Sequence, residues 1–190
     1  SAVPNGVVSG DLIVNGKKTK LSGSGYHDHN WGNTPLQYLF DNWVWFRGEI
    51  EDKTIVAAVL YMTDKRGGYD VPILYIADSS KVHVNKFGED GLYTKKSTRI
   101  TDLYNKHNEP LFRELDMITE DGFRVNIIGN SVIDNSNLFK RGRMPYPIRL
   151  AMGAAKIDPF YTRFDSEMSL SINGKAPKTG FGVFEIMDLK

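Results

Sequence analysis

The sequence predicts an all-β protein, built as an antiparallel barrel or sandwich. Runs of β-branched and aromatic residues alternate with polar ones, and turn signals recur about every 8–15 residues. No amphipathic helical period extends beyond about three turns. The chain has 190 residues, which is long enough to bury one hydrophobic core. We therefore expect a single domain over residues 1–190.

Composition excludes several classes of function. The net charge of +1 produces no field that would favour nucleic acid, and no apolar run is long enough for a transmembrane helix. Cysteine is absent, so disulfide and thiolate chemistry are excluded. No signal peptide is visible. We expect a soluble protein, cytoplasmic or peripheral to a membrane rather than secreted, with at most transient membrane contact.

The chain divides into short predicted strands. Asn15-Gly16 lies between the first two and is the strongest short hairpin signal. Residues 64–70 are predicted as a loop, 130–143 as a polar lid or linker, and 149–155 as a strand or one helical turn. The predicted strands span residues 7–14, 17–21, 25–32, 43–50, 54–62, 71–77, 81–86, 93–103, 112–118, 123–128, 160–172 and 180–187.

Residues 25–32 concentrate titratable and aromatic side chains. Two of the four histidines of the chain lie here, two residues apart. In an extended strand successive side chains point to opposite faces, so His27, His29 and Trp31 would share one face, with Tyr26 on the other. Two imidazoles and an indole N–H on one face can hold or protonate a ligand.

The predicted strand 43–50 has two different faces. One face is aromatic and charged, and the opposite face is aliphatic. We expect this pattern in the wall of a barrel that is covered on both sides and encloses a ligand cavity. The aromatic residues are either plain core or ligand wall, and the charge pair either a rim salt bridge or a polar anchor. We also expect Glu185, in an apolar strand, to pair with an arginine. The first face carries Trp43, Trp45, Arg47 and Glu49, and the second Val44, Phe46, Gly48 and Ile50.

The stretch Gly25-Tyr26-His27-Asp28-His29-Asn30-Trp31-Gly32 resembles the signature of the hydroxyneurosporene synthase (carotenoid 1,2-hydratase) family. The relatives of that family include AttH-like lipocalin proteins and lipocalin-like Diels-Alderases. Residues 43–47 resemble its tryptophan-rich strand and 180–185 its closing strand. The resemblance implies a lipocalin-like barrel equivalent to one half of two-domain relatives, completed by a homodimer or a second lipocalin-like domain.

The resemblance also implies site residues. His29 and Trp31 match a catalytic histidine and tryptophan, and Tyr61 best matches a later catalytic tyrosine. The family places an aspartate one or two residues beyond that tyrosine, whereas here Asp64 is the nearest acid. The ligand-binding candidates are Tyr26, His27, Trp43, Trp45, Arg47 and Glu49.

The implied function is binding of a hydrophobic polyene, isoprenoid or polyketide in a barrel cavity, with acid-assisted hydration or cyclisation and no cofactor. Hydration begins with protonation to a carbocation, which aromatic faces can stabilise. A cyclase would instead fold the polyene and polarise a carbonyl.

Three alternatives remain open. The chain is a non-catalytic binder of such a ligand, or the histidines are structural, or His27 and His29 bind zinc with a third ligand such as His83 or His107. An acid close to Tyr61 in space would favour the enzyme, and an interior closed by packed side chains would favour an interaction role.

The signature generates one prediction. Because an orienting or proton-donating histidine contributes to function rather than to packing, His29→Ala should weaken ligand binding or turnover more than it lowers the melting temperature. Ligand titration and thermal unfolding of the same preparation compare the two losses. Equal loss of both would indicate a structural histidine.

Overall fold

The computed structural model describes residues 3–88, 90–96, 113–138, 145–154 and 159–189. Within these ranges the chain is almost entirely β-strand, with one nine-residue helix, α1, and two short 3-10 helices, Leu36–Tyr38 and Asp64–Arg66. The chain forms two compact units, residues 1–33 and 34–190. The single-domain organisation stays a prediction. The elements are β1 Val3–Val14, β2 Lys17–His27, β3 Phe40–Ile50, β4 Lys53–Met62, β5 Asp70–Ala77, β6 Val82–Phe87, β7 Leu92–Lys96, β8 Glu114–Thr119, β9 Phe123–Asn137, α1 Tyr146–Ala154, β10 Phe160–Ile172 and β11 Lys178–Asp188.

The first unit is a long β-hairpin. Strands β1 and β2 pair from Val14 and Lys17 at the turn to Val3 and His27 at the open end. The turn residues Asn15 and Gly16 have φ values of 49° and 78°. Two consecutive positive φ angles match the right-handed twist of the strands, which is why Asn-Gly is favoured there. The predicted hairpin is confirmed, and β2 extends beyond the predicted residues 17–21.

The second unit is a nine-stranded antiparallel sheet in the order β6-β5-β4-β3-β11-β10-β9-β8-β7. Backbone atoms of β5 and β7 approach within 8 Å of each other, so the sheet curls into a nearly closed barrel. The predicted all-β antiparallel barrel is confirmed. No helix in the described ranges has the length and apolar character needed to cross a membrane.

Strand β9 is longer than the sequence predicts. Residues 130–137, predicted as part of a lid or linker, continue β9 and pair with β10 as far as Asn137 opposite Phe160. Polar side chains are tolerated there because a strand paired along its length needs only one apolar face. Residues 149–154 are helical, in α1. Predicted structure at 97–103, at 112, at 139–143 and at 155 lies outside the described residues.

The middle of the barrel is filled by side chains. Phe46, Phe164 and Phe184 each have 0% exposure, and the rings of Phe164 and Phe184 lie 6.1 Å apart. Strands β3, β4, β5, β8, β9, β10 and β11 all contribute to this cluster, which includes Val44, Ile50, Ile55, Ala57, Val59, Leu74, Ile76, Leu115, Met117, Val125, Ile127, Met168, Leu170 and Ile186. These side chains pack the middle of the barrel in the part of the chain that the structure describes, and the expected ligand cavity stays a prediction.

Two of the buried rings lie over glycines. A Cβ atom at Gly48 or Gly182 would come within 2.6 Å of the Phe46 ring, and one at Gly129 would come within 3.0 Å of Phe164. Real Cβ atoms essentially never approach another atom below 3.0 Å. Glycine is therefore needed at 48 and 182, because a carbonyl oxygen of the paired strand, from Phe181 or Arg47, and the ring of Phe46 take the space of a side chain.

The core generates a stability prediction. Phe164→Ala should lower the free energy of unfolding by about 3–5 kcal/mol, because it leaves a cavity among fully buried neighbours. The matched control is Phe181→Ala, since Phe181 is 71% exposed on β11, and its effect should stay within about 0.5 kcal/mol. Urea unfolding followed by tryptophan fluorescence measures both. Similar losses in the two variants would contradict the assignment of the core.

Candidate functional site

The histidine-rich signature leaves the strand at His27. Strand β2 ends there because its ladder with β1 ends at Val3, so the one-face arrangement of His27, His29 and Trp31 on an extended strand is wrong. All three side chains are exposed, Trp31 at 89%. Their catalytic and binding roles stay predictions.

A local hydrogen-bond cluster holds the chain after His27. The Tyr26 hydroxyl donates to Asp28 Oδ2 at 3.0 Å, and Asn30 Nδ2 donates to the same oxygen at 3.2 Å. Both bonds join side chains two residues apart, so the carboxylate of Asp28 connects Tyr26, near the end of β2, with Asn30 beyond it.

The described residues contain no group of three His, Asp or Glu side chains close enough to hold a metal ion. His83, one candidate third ligand for zinc, lies with Nε2 2.5 Å from Asp78 Oδ2. The other candidate, His107, is outside the described residues.

The aromatic and charged face of β3 points away from the core. Val44, Phe46 and Ile50 are buried on the inner face, so the alternation of the strand places Trp43, Trp45, Arg47 and Glu49 on the outer face. Trp43 and Trp45, expected to be either plain core or ligand wall, are therefore not part of the aliphatic core on the inner face. Ligand binding by these four residues on the outer face stays a prediction.

A polar group continues this outer face on β10 and β11. Glu185 lies opposite Trp45, and its Oε1 is 3.4 Å from Arg163 Nε, which confirms the expected pairing of Glu185 with an arginine. Arg163 also donates from Nε and from a terminal nitrogen to the Tyr161 hydroxyl at 3.2 and 3.1 Å. Burial, and then the hydrogen bond with Glu185, raise the pKa of Tyr161 to about 12.

A row of polar side chains crosses four neighbouring strands at one end of the barrel. Asp188 of β11 lies opposite Asn42 of β3, Asn42 opposite Tyr61 of β4, and Tyr61 opposite Asp70 of β5. Cross-strand partners share one face of the sheet, and Tyr61 packs against the core, so the row lies on the inner side. We call these four residues the polar row.

Tyr61 and Asp70 are the chemically distinctive members of the polar row. Burial of Tyr61, together with the negative charge of Asp70, raises the pKa of the phenol well above its ordinary value of 10.0. Both effects disfavour the phenolate. Tyr61 therefore stays protonated and remains a hydrogen-bond donor.

Asp70 was missed by the sequence interpretation, which chose Asp64 as the acid nearest to Tyr61. Asp64 is exposed in the 3-10 helix Asp64–Arg66, where its carbonyl accepts a hydrogen bond from Gly67 N at 3.0 Å. Asp70 opens strand β5 and faces Tyr61 through the β4–β5 register. In the sequence, the sign of this pair is an acidic residue at the start of the strand that follows Tyr61. That position identifies Asp70 as the partner of Tyr61 only when the β4–β5 register is known.

The other end of the barrel contains a small cavity of about 90 Å³. Its walls include Ile50 and Leu170 from the core and the exposed Lys175 and Lys178. Pockets for drug-sized ligands occupy about 300–1,000 Å³, so this cavity is too small to enclose a polyene.

Solved structures identify the fold. Kievitone hydratase from Nectria haematococca superposes with a TM-score of 0.60 at 15% identity, over 98% of this chain and 52% of that one. CghA, a Diels-Alderase solved with Sch210972, gives 0.64 at 10% identity over 97% and 52%. An AttH-like protein from Nitrosomonas europaea gives 0.57 at 13% identity over 100% and 52%. The chain is a lipocalin-like β-barrel protein.

Sequence comparisons give shorter matches. The quinolone epoxide rearrangement protein asqO of Emericella nidulans is 36% identical over 53 residues, which are 28% of this chain and 14% of asqO. The corresponding protein penF of Penicillium thymicola is 33% identical over 55 residues, 29% of this chain and 15% of penF. No family model matches. The resemblance predicted from the signature is confirmed, and this lipocalin-like chain spans about half the length of the solved structures.

The buried phenol generates a pH prediction. Because the pKa of Tyr61 is higher in the folded chain than the ordinary value, its contribution to stability is complete below about pH 10 and is lost as the pH rises further. Wild type should therefore lose more melting temperature than Tyr61→Phe between about pH 9 and about pH 11. Thermal unfolding across this range tests the difference. Parallel curves would show that Tyr61 ionises as it does in the unfolded chain.

Proposed function

We propose that this chain binds a hydrophobic polyene, isoprenoid or polyketide at the polar row and catalyses its hydration, rearrangement or cyclisation by acid assistance, without a redox cofactor. The observation that carries the proposal is the pairing of Tyr61 with Asp70. A carboxylate held beside a phenol that stays protonated supplies a hydrogen-bond donor and a proton acceptor side by side.

The two side chains have complementary chemistry towards an oxygenated ligand. The Tyr61 hydroxyl can donate to a carbonyl or epoxide oxygen, where it stabilises the negative charge that develops as a C–O bond breaks. When water adds to an epoxide, it forms a bond to one carbon, Asp70 can take a proton from that water, and Tyr61 protonates the oxygen released as the C–O bond breaks. In a rearrangement or cyclisation no water is consumed, and Tyr61 acts by polarising the oxygen.

The apolar part of the ligand would lie beside the polar row. Val44, Val59 and Ile186 occupy the next inward-facing row, two residues deeper on β3, β4 and β11. This arrangement gives an aliphatic floor below polar groups, which suits a ligand that is mostly hydrocarbon with one oxygen function. The filled core supports binding at the end of the barrel rather than in its middle.

The relatives support this class of reaction. Kievitone hydratase is named for hydration, and asqO and penF for epoxide rearrangement. Hydration and epoxide rearrangement both proceed through proton donation to carbon or oxygen. By the resemblance of the signature, we also propose catalytic roles for His29 and Trp31.

A second candidate is a non-catalytic carrier of the same ligand. The observation that favours it is the 89% exposure of Trp31, which leaves the signature less enclosed from water than acid chemistry on an alkene needs.

The proposal predicts that Tyr61→Phe and Asp70→Asn each lower turnover by roughly 10²-fold, the contribution of one general acid or base. The probe is an epoxide of farnesol, with products separated by mass spectrometry: a gain of one water reports hydration, and an unchanged mass reports rearrangement. Binding of cis-parinaric acid, a fluorescent polyene, should be retained by both variants.

Two comparisons sharpen the test. Tyr75→Phe removes a hydroxyl from the outer face of β5 and should leave turnover unchanged. Asp64→Asn decides between the two acids. If Asp64→Asn lowers turnover and Asp70→Asn does not, the proposed role of Asp70 is refuted. Polyene binding without any product from wild type would favour the carrier.

A further inference from the structure

The cavity of about 90 Å³, at the other end of the barrel from the polar row, is lined by charged side chains of unequal number. Lys53, Lys175 and Lys178 line it together with one acidic residue, Glu51. We call it the lysine cavity. A cleft with an excess of positive charge raises the local concentration of anions. The reaction proposed at the polar row makes no use of these lysines.

The strand register places two of the lysines on the core side of the sheet. Lys53 pairs with Ile50 across the β3–β4 turn, and Lys178 pairs with Leu170 between β11 and β10. Cross-strand partners share a face, and Ile50 and Leu170 belong to the core. The methylene chains of both lysines therefore leave the sheet beside apolar side chains, and their charged ends reach towards water at the end of the barrel.

The three ammonium groups differ in their partners. Lys53 Nζ lies 2.8 Å from Asp52 Oδ1, and Lys178 Nζ lies 2.6 Å from Glu51 Oε2. The side chains of Lys178 and Glu51 are 61% and 55% exposed, so their ion pair is weak and an anion can replace the Glu51 carboxylate. In the part of the chain that the structure describes, Lys175 has no ion-pair partner. Lys175 and Lys178 are therefore available to an anionic ligand.

The apolar floor of the lysine cavity sets the size of that ligand. The floor is formed by Ile50, Leu170 and Ile172. Ile50 and Leu170 are only 1% and 3% exposed, so the packed core closes the cavity beneath them. A water molecule takes about 30 Å³ in the liquid, so the cavity has room for about three groups of that size, such as the carbons of a short alkyl chain.

We propose that the lysine cavity binds a short-chain carboxylate, with the alkyl chain on the apolar floor and the carboxylate between Lys175 and Lys178. Ammonium groups donate charge-assisted hydrogen bonds to a carboxylate, and the alkyl chain gains free energy from burial. An inorganic anion gains nothing from the floor, and a long-chain acid exceeds the volume of the cavity. The ligand is thus different in class from the polyene proposed for the polar row.

An NMR titration with sodium butyrate tests the site. The methyl resonances of Leu170 and Ile172 report occupation of the floor. At constant ionic strength, butyrate should shift these resonances with a dissociation constant in the millimolar range, because the ligand is small and its charged partners are exposed. Sodium chloride, which lacks the alkyl chain, and butyramide, which lacks the charge, should each bind more weakly than butyrate.

Two substitutions should change the affinity in opposite directions. Lys178→Gln removes one ammonium group and should weaken butyrate binding by about threefold to tenfold. Glu51→Gln removes the carboxylate that competes for Lys178 and should strengthen binding by about twofold to fivefold. Lys65→Gln is the matched control, because it removes the same charge from the 3-10 helix Asp64–Arg66, beyond the far end of β4, and should leave the affinity unchanged.

Several results would overturn the proposal. Equal binding of chloride, or of butyramide, would show that the alkyl chain or the charge contributes nothing. Affinity that continues to rise from butyrate to octanoate would indicate adsorption on an open apolar surface. A loss in Lys65→Gln as large as that in Lys178→Gln, or no gain in Glu51→Gln, would reduce the effect to net charge. Amide spectra check the fold of each variant, and no result depends on turnover at the polar row.

Discussion

The packing of large aromatic rings against glycines is the constraint on which the barrel depends. Phe46 occupies the space above Gly48 and Gly182, and Phe164 the space above Gly129, so rings from β3 and β10 meet bare backbone. Interiors packed at crystal-like density gain dispersion energy from such contacts and leave few voids. Closure of the barrel and packing of its middle therefore depend on the same contacts between rings and glycines.

The inner face of the barrel becomes polar towards one end. At one end the inner face changes from aliphatic residues to the polar row, where burial keeps Tyr61 protonated beside the negative charge of Asp70. The groups that could act on a ligand thus lie within reach of solvent and still rest on apolar side chains. Tyr61 connects the polar row to the core, because it packs against the cluster that holds the strands together.

The hairpin and the barrel differ in how far their apolar side chains are removed from water. In the barrel, the sheet curls until its apolar side covers itself, and few large apolar side chains of the inner face remain exposed. A two-stranded ribbon cannot curl in this way, so Leu12 and Leu21 stay about half exposed although their alternation is as regular as that of β3.

The sequence by itself determined the features that depend on neighbouring residues. Asn15-Gly16 fixed a turn because positive φ is a property of single residues, and residues 43–50 separated into two faces because strands alternate with a period of two. Only the tertiary structure decided which of those faces is inside. It also decided that Asp70, and not Asp64, faces Tyr61, because the register between two strands depends on the packing of the whole sheet.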